Sequence, residues 1–264
     1  MTNQKRTFST QKQRLPKRKR RGFSLLELIV VISITTLLMG LLMPALSSVR
    51  ENAMRVICGA NQRQFGQALT MYSADHRNRL PIASVLDLPE PDPTLLSLVR
   101  SGLRETTSHS HFSSENFRKV PEPLTHSDWD GLGHLYKWHY CGSSESYYCP
   151  SHEGNHTHEE CKGKWDTQSN DEPMYANYQY VGHKDWRTGA PRSLLQGNKL
   201  ILVTDSMRTK ADFNHGVGYN ELRGDGSVSW KDNVIVRTQL SAVAPADFDE
   251  MRTLDDLIYI IFSK

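Results

Sequence analysis

The chain has 264 residues, with 32 Lys and Arg against 29 Asp and Glu and a formal net charge of +3. Nine of those basic residues and none of the acidic ones lie in residues 1–22, so the remaining 23 basic residues face 29 acidic ones and carry a net charge of −6. The body of the chain is therefore mildly acidic, and the overall pI of 8.6 is no argument for nucleic-acid binding.

Residues 1–22 contain Lys5, Arg6, Lys12, Arg14, Lys17, Arg18, Lys19, Arg20 and Arg21. They read as a topology signal: positive residues stay in the cytoplasm and send the following segment across the membrane. From Phe23 an apolar run of about 23 residues begins. As a helix it measures about 34 Å, enough to cross a bilayer. Glu27 sits inside it, and a carboxylate in a membrane helix is costly unless it finds a partner. Three fates fit a basic segment followed by an apolar one. A secretory signal peptide is cut beyond the apolar core, here near Pro44-Ala45-Leu46-Ser47; a signal anchor is not cut; a third class is cut on the near side, after Gly22. The length of the run and the presence of Glu27 both count against the first.

The helix is predicted from Ser24 to about Asp75. Beyond Pro44, apolar residues recur at Leu46, Val49, Ala53, Val56, Ile57, Ala60, Leu69 and Tyr72, which approximates one helical stripe. The inner half is expected in the membrane and the outer half on a folded domain. Gly40 and Pro44 are its weak points, and Pro44 should bend it. His76 to Pro81 ends the helix, and Leu88 to Pro93 is a Pro-rich turn. Thr94 to Arg104 reads as a short helix with Leu95, Leu98, Val99 and Leu103 inward. Residues 106–128 and 151–173 read as long polar loops. Lys199 to Thr204 is the clearest strand. Tyr219 to Leu222 and Ser227 to Lys231 flank Arg223-Gly-Asp-Gly226, a hairpin signal. Val234 to Arg237 is a further candidate strand, and Thr253-Leu-Asp-Asp256 opens a candidate helix.

The four cysteines, Cys58, Cys141, Cys149 and Cys161, allow three disulfide pairings if the domain lies outside the cytoplasm. The rival chemistry is zinc, because Cys141, Cys149, His152, His156, His158 and Cys161 fall within 21 residues, though at irregular spacing. Asp225 supplies a single carboxylate to its turn, too few oxygens for calcium, and His215 reads as a hydrogen-bonding structural residue. Trp129, Trp138, Trp165, Trp186, Tyr147 and Tyr148 read as ordinary packing rather than a sugar-stacking face. The chain contains neither a G-x-x-x-x-G-K-[ST] loop nor a G-x-S-x-G elbow. Asn155-His156-Thr157 is a formal glycosylation sequon.

Arg21-Gly22-Phe23-Ser24-Leu25-Leu26-Glu27 resembles the cleavage and methylation signature of type IV prepilins and type II secretion pseudopilins. The resemblance implies a cut between Gly22 and Phe23, N-methylation of Phe23, Glu27 as the fifth mature residue, and Pro44 as the proline of the long helix. A second stretch, His215 to Trp230, contains His, nine residues, then Asp225-Gly226. It is similar to the H-x9-D-G pseudopilin-like proteins of planctomycete and verrucomicrobial bacteria. Cys58 to Tyr72 and Tyr147 to Ser151 fit the same group. This resemblance favours Cys58–Cys149, leaving Cys141–Cys161, with a local Cys141–Cys149 bridge nearly level with it.

The expected fold is α+β and pilin-like. Residues 1–22 form a cleaved basic leader, 23–46 the transmembrane and assembly helix, 47–80 its outer half, and 81–264 a periplasmic globular domain with an antiparallel sheet. The resemblance implies a non-enzymatic fibre subunit without cofactor or resident metal. Its partners would be prepilin peptidase, copies of itself or other pseudopilins, an inner-membrane assembly platform and membrane lipid, with no nucleic acid. The expected location is the inner membrane, single-pass, N-terminus cytoplasmic. Two other classes stay open: a membrane-tethered binding module that does not polymerise, and a secreted hydrolase with a misread signal peptide.

Overall fold

A computed structural model of the chain describes residues 22–87, 97–100, 129–152, 154, 156–167, 173–185, 188–206, 213–215 and 217–232. The chain divides into two units, Met1–Ser48 and Val49–Lys264. Helix α1 runs from Leu25 to Asp75 without a break at Gly40 or Pro44. The elements that follow are β1 (Leu98–Arg100), α2 (Gly133–Lys137), α3 (His158–Trp165), β2 (Met174–Tyr175), β3 (Tyr178–Tyr180), β4 (Ile201–Asp205), β5 (Gly218–Arg223) and β6 (Val228–Asp232). The architecture is α+β and pilin-like: a long N-terminal helix, its first part long and apolar enough to cross a membrane, followed by an antiparallel sheet domain.

Strands β3, β4, β5 and β6 form an antiparallel meander in that order, and β1 pairs with β2 in a separate two-stranded sheet. Tyr178 lies opposite Asp205, Val203 opposite Leu222, Asn220 opposite Trp230 and Leu222 opposite Val228. Because side chains alternate along a strand, these residues share one face. Gln179, Thr204, Glu221 and Ser229 form a row on the other. On that row the Glu221 carboxylate accepts from Arg223 Nε at 2.8 Å and faces Lys231 Nζ at 3.4 Å.

The outer turns of α1 pack on the first face. Cys58, Gln62, Phe65, Leu69 and Tyr72 are buried, a spacing of four and three residues that keeps them on one side of a helix. Small residues recur between them as Gly59, Gly66 and Ser73, also buried. They let the helix approach the strands closely: a Cβ at position 66 would stand 3.0 Å from Leu222 Cδ1. The core continues as an aromatic cluster. The Phe65 ring lies 5.0 Å from Tyr147 and 5.4 Å from Tyr178, and Trp165 lies 4.6 Å from both Tyr136 and Tyr147. Asn61 Nδ2 donates to the Tyr178 hydroxyl at 3.0 Å, so this buried phenol keeps a polar partner.

Two sequence expectations are corrected. Leu98–Arg100 is a strand rather than part of a helix, because pairing with Met174 and Tyr175 satisfies its backbone across the chain. The segment read as a polar loop over 151–173 contains helix α3. It is started by a capping box between Thr157 and Glu160 and anchored by buried Cys161 and Trp165. The expected loop over 106–128, the strand at 234–237, the helix from residue 253, and Asn155 and Trp186 lie outside the described residues.

Candidate functional site

The first unit presents its chemistry at the start of α1. Phe23 is 87% exposed, and the apolar residues that follow, from Leu25 through Leu42, are exposed one after another. None of the most hydrophobic window is buried. The polar residues within it are satisfied internally. Ser33 donates to the Ile29 carbonyl at 2.7 Å, and Thr35 and Thr36 donate to the Ile32 carbonyl at 3.0 and 2.8 Å. This is the condition a helix must meet to sit in hydrocarbon. Beyond Pro44, Ser47 donates to the Pro44 carbonyl at 2.9 Å.

Glu27 is the one carboxylate in this stretch. Its Oε2 accepts the Ser24 backbone N–H at 2.8 Å, across the first turn of α1. A helix N-terminus carries unpaired N–H groups and a partial positive charge, so a carboxylate there is favourable. Gly22, Phe23 and Glu27 thus lie together at one helix end, with Pro44 inside the same helix.

A second site lies within Val49–Lys264, where α1 meets the sheet. Cys58 on α1 is joined by a disulfide to Cys149, with their Cα atoms 5.7 Å apart. Beside it lies His215, whose side chain is fully enclosed. Its Nδ1 is 2.8 Å from Glu51 Oε1, and its Nε2 is 3.5 Å from Asp205 Oδ2 and 3.6 Å from Cys149 Sγ. The Asp205 carboxylate is held in turn. Its Oδ1 accepts from Gln62 Nε2 at 2.9 Å, and its Oδ2 accepts the Asn220 backbone N–H at 2.7 Å. Burial pushes the Asp205 carboxyl up to about 6, against the opposing pull of His215 and of the hydrogen bonds from Asn220 and Gln62. Trp230 closes one side, its ring 5.5 Å from that of His215, with the Arg55 guanidinium 4.3 Å above it.

Asn177 ties the Cys149 segment to β3. Its Oδ1 accepts the Cys149 N–H at 3.2 Å, and its backbone carbonyl accepts from Asn214 Nδ2 at 3.0 Å. An open cleft of about 480 Å³ runs past this point, lined in part by Ile57, Asn61, Cys149, His152 and His158.

The remaining cysteines are free buried thiols rather than partners in a second bridge. The Tyr147 hydroxyl lowers the pKa of the Cys141 thiol and the Tyr148 hydroxyl that of Cys161, each by less than burial raises it. Burial raises both thiol pKa values, which keeps them protonated and unreactive. The residues weighed for zinc over 141–161 do not converge as one ligand set, since Cys149 is bonded to Cys58. Asp225 serves the β5–β6 turn, accepting Ser227 N–H at 2.9 Å and its hydroxyl at 2.7 Å. Trp165 is buried in the core, whereas Trp138 is 55% exposed. Sequence reasoning missed Glu51 and Asp205 as neighbours of His215, and Gln62 and Asn220 as partners of Asp205; the tract Cys58 to Tyr72 was visible, but nothing local linked it to residue 215.

Residues 17–43 match the family model of the prokaryotic N-terminal methylation motif. No curated protein and no solved structure matches the chain. The motif is characteristic of prepilin-like proteins, and with this architecture it is that of non-catalytic structural subunits rather than enzymes. It implies processing by a prepilin peptidase, and the single apolar helix is consistent with a single-pass membrane anchor.

Proposed function

We propose that this chain is a pseudopilin-like structural subunit of a type II secretion or type IV pilus-like fibre, of the H-x9-D-G group. Residues 1–22 are its leader, removed by prepilin peptidase between Gly22 and Phe23, and Phe23 is then N-methylated. Residues 23–46 form the membrane and assembly helix, with the N-terminus in the cytoplasm and the domain on the periplasmic side. The subunit is drawn from the inner membrane by an assembly platform and packs its apolar helix against copies of itself or other pseudopilins.

The observation that carries this reading is the match of residues 17–43 to the methylation motif, with an exposed Phe23 and Glu27 one turn deeper. Cleavage would leave an ammonium on Phe23, and N-methylation keeps that nitrogen basic. Before assembly, Glu27 has its own Ser24 N–H as a partner. In a fibre, the ammonium of a neighbouring subunit offers a stronger one, and pairing offsets part of the desolvation penalty each charge bears alone. A misaligned neighbour leaves both charges unpaired, so the pair also sets the axial register.

Glu27→Gln separates the two steps. Expected is normal removal of the leader with loss of fibres and of crosslinks between single cysteines placed along 28–42. Fibres at wild-type abundance would exclude the pairing. Processed protein that never crosslinks, in wild type and variant alike, would favour the tethered binding module instead.

A further inference from the structure

We propose that Cys58, Cys149 and His215 form a buried binding site for a soft divalent cation of the zinc class, alternative to the disulfide between the two cysteines. Their ligand atoms, two Sγ and one imidazole nitrogen, all lie within 4.8 Å of one another, and all three residues are buried. Zinc takes Cys sulfur at about 2.3 Å and His nitrogen at about 2.0–2.1 Å in a tetrahedron. Two sulfurs and one nitrogen supply three of its corners.

The imidazole is already arranged as a ligand. Nδ1 faces Glu51 Oε1 at 2.8 Å, which leaves Nε2 directed at Cys149 Sγ, 3.6 Å away. A carboxylate on the far nitrogen is the usual support of a metal-bound histidine, because it fixes the ring and raises its basicity. Asp205 Oδ2, 3.5 Å from Nε2, adds negative charge beside the position of the cation. The cleft that Cys149 lines gives solutes a path to this side of the domain. The cysteine and histidine residues clustered in sequence over 141–161 do not provide such a set; the fold assembles it from residues 58, 149 and 215.

The two states exclude each other and interconvert by a balanced reaction. A dithiol reductant transfers two hydrogens to the Cys58–Cys149 bond, leaving two thiols and becoming a disulfide itself. The divalent cation then replaces both thiol protons, which leave to solvent. The bound state carries two thiolates, one neutral imidazole and the cation, and has no net charge of its own. In the reverse direction a disulfide oxidant takes the two electrons of the thiolates and, with two protons from solvent, leaves as a dithiol; the re-formed Cys58–Cys149 bond removes two ligands and expels the metal.

The test uses the full chain in detergent, reduced anaerobically with a phosphine that is then removed, and titrated with Co2+. Expected is one equivalent bound, with sulfur-to-cobalt charge-transfer absorption from two thiolates, and no binding to the oxidised chain. Cys141→Ser and Cys161→Ser should leave the titration unchanged. His215→Ala should weaken binding by at least about tenfold and Glu51→Gln by about 10–100-fold, the usual effect of removing the support of a ligand. Equal binding by oxidised and reduced chains, by Cys58→Ser, or by His215→Ala would overturn the assignment, as would no binding at all. X-ray absorption at the zinc edge on the reduced wild-type chain needs no variant to fold. It should show two sulfurs and at least one nitrogen, and a shell of four sulfurs or none would equally overturn the site.

Discussion

Truncating Phe65 tests whether the outer turns of α1 are welded to the sheet domain. Phe65 has no exposed surface, and its ring lies 5.0 Å from Tyr147 and 5.4 Å from Tyr178. Phe→Ala in a core costs about 3–5 kcal/mol, and each edge contact between rings accounts for roughly 0.5–1.5 kcal/mol of such a loss. The cavity cannot close easily, because both neighbouring tyrosines are tethered. Tyr147 donates to the Leu132 carbonyl at 3.3 Å, and Tyr178 accepts from Asn61 at 3.0 Å. The expected loss for Phe65→Ala is therefore about 4 kcal/mol, a large share of the roughly 5–15 kcal/mol that holds a typical domain. Val56→Ala on the same helix, 69% exposed, should change stability by less than about 0.5 kcal/mol. Urea unfolding of the full chain in detergent, followed by tryptophan fluorescence, reads both, since Trp165 lies 4.6 Å from Tyr147. A Phe65→Ala midpoint equivalent to less than about 1 kcal/mol of destabilisation would refute this packing of the helix.

The Cys58–Cys149 bridge spans a sequence separation of 91, so Cys58→Ser should cost about 2–4 kcal/mol. Thermal unfolding with chelator present should register this as a clear fall in Tm, and an unchanged Tm would argue that the bond does not form. Asp130 is fully buried, accepts from Ser84 N–H and Gly131 N–H, and has its carboxyl pushed from 3.8 up to about 6 by desolvation. Between those values the unfolded chain gives up a proton that the folded chain keeps, so stability falls as pH rises through about 4 to 6 and then levels. The contribution is roughly 3 kcal/mol at most. Asp130→Asn should remove that part of the slope in Tm against pH, leaving a slope of similar size from Asp205, whose carboxyl is raised to the same extent, and parallel curves would contradict it. Gly59→Ala should stabilise by about 0.8–1 kcal/mol through helix propensity, because its Cβ meets Asn220 Oδ1 at 3.5 Å and Val228 Cγ1 at 3.7 Å. A lowered Tm would mean the helix lies closer to the strands than described.

The long helix and the three strands at 201–232 were readable because their signals are local: a continuous apolar run, a stripe at helical spacing, and a Gly-Asp-Gly turn between alternating residues. Strands β1, β2 and β3 have two or three residues each, too few for a period to show. At Leu98 the helical spacing of Leu95, Leu98, Val99 and Leu103 pointed the wrong way, and long-range pairing with Met174 and Tyr175 overrode it. Helix α3 had a legible start in Thr157-His-Glu-Glu160, hidden by the polar composition around it. The methylation motif at the start of α1 is contiguous in sequence and could be read directly. The buried cluster could not. His215 meets Glu51 across 164 positions and Cys149 across 66, and only folding brings them together.

The most direct measurement is the mass of the N-terminal peptide of the protein recovered from its native membrane. The expected peptide begins at Phe23 and carries one additional methyl group on its amino nitrogen. A chain that begins at Met1, or one that begins beyond Ala45, would contradict the assignment as a processed fibre subunit.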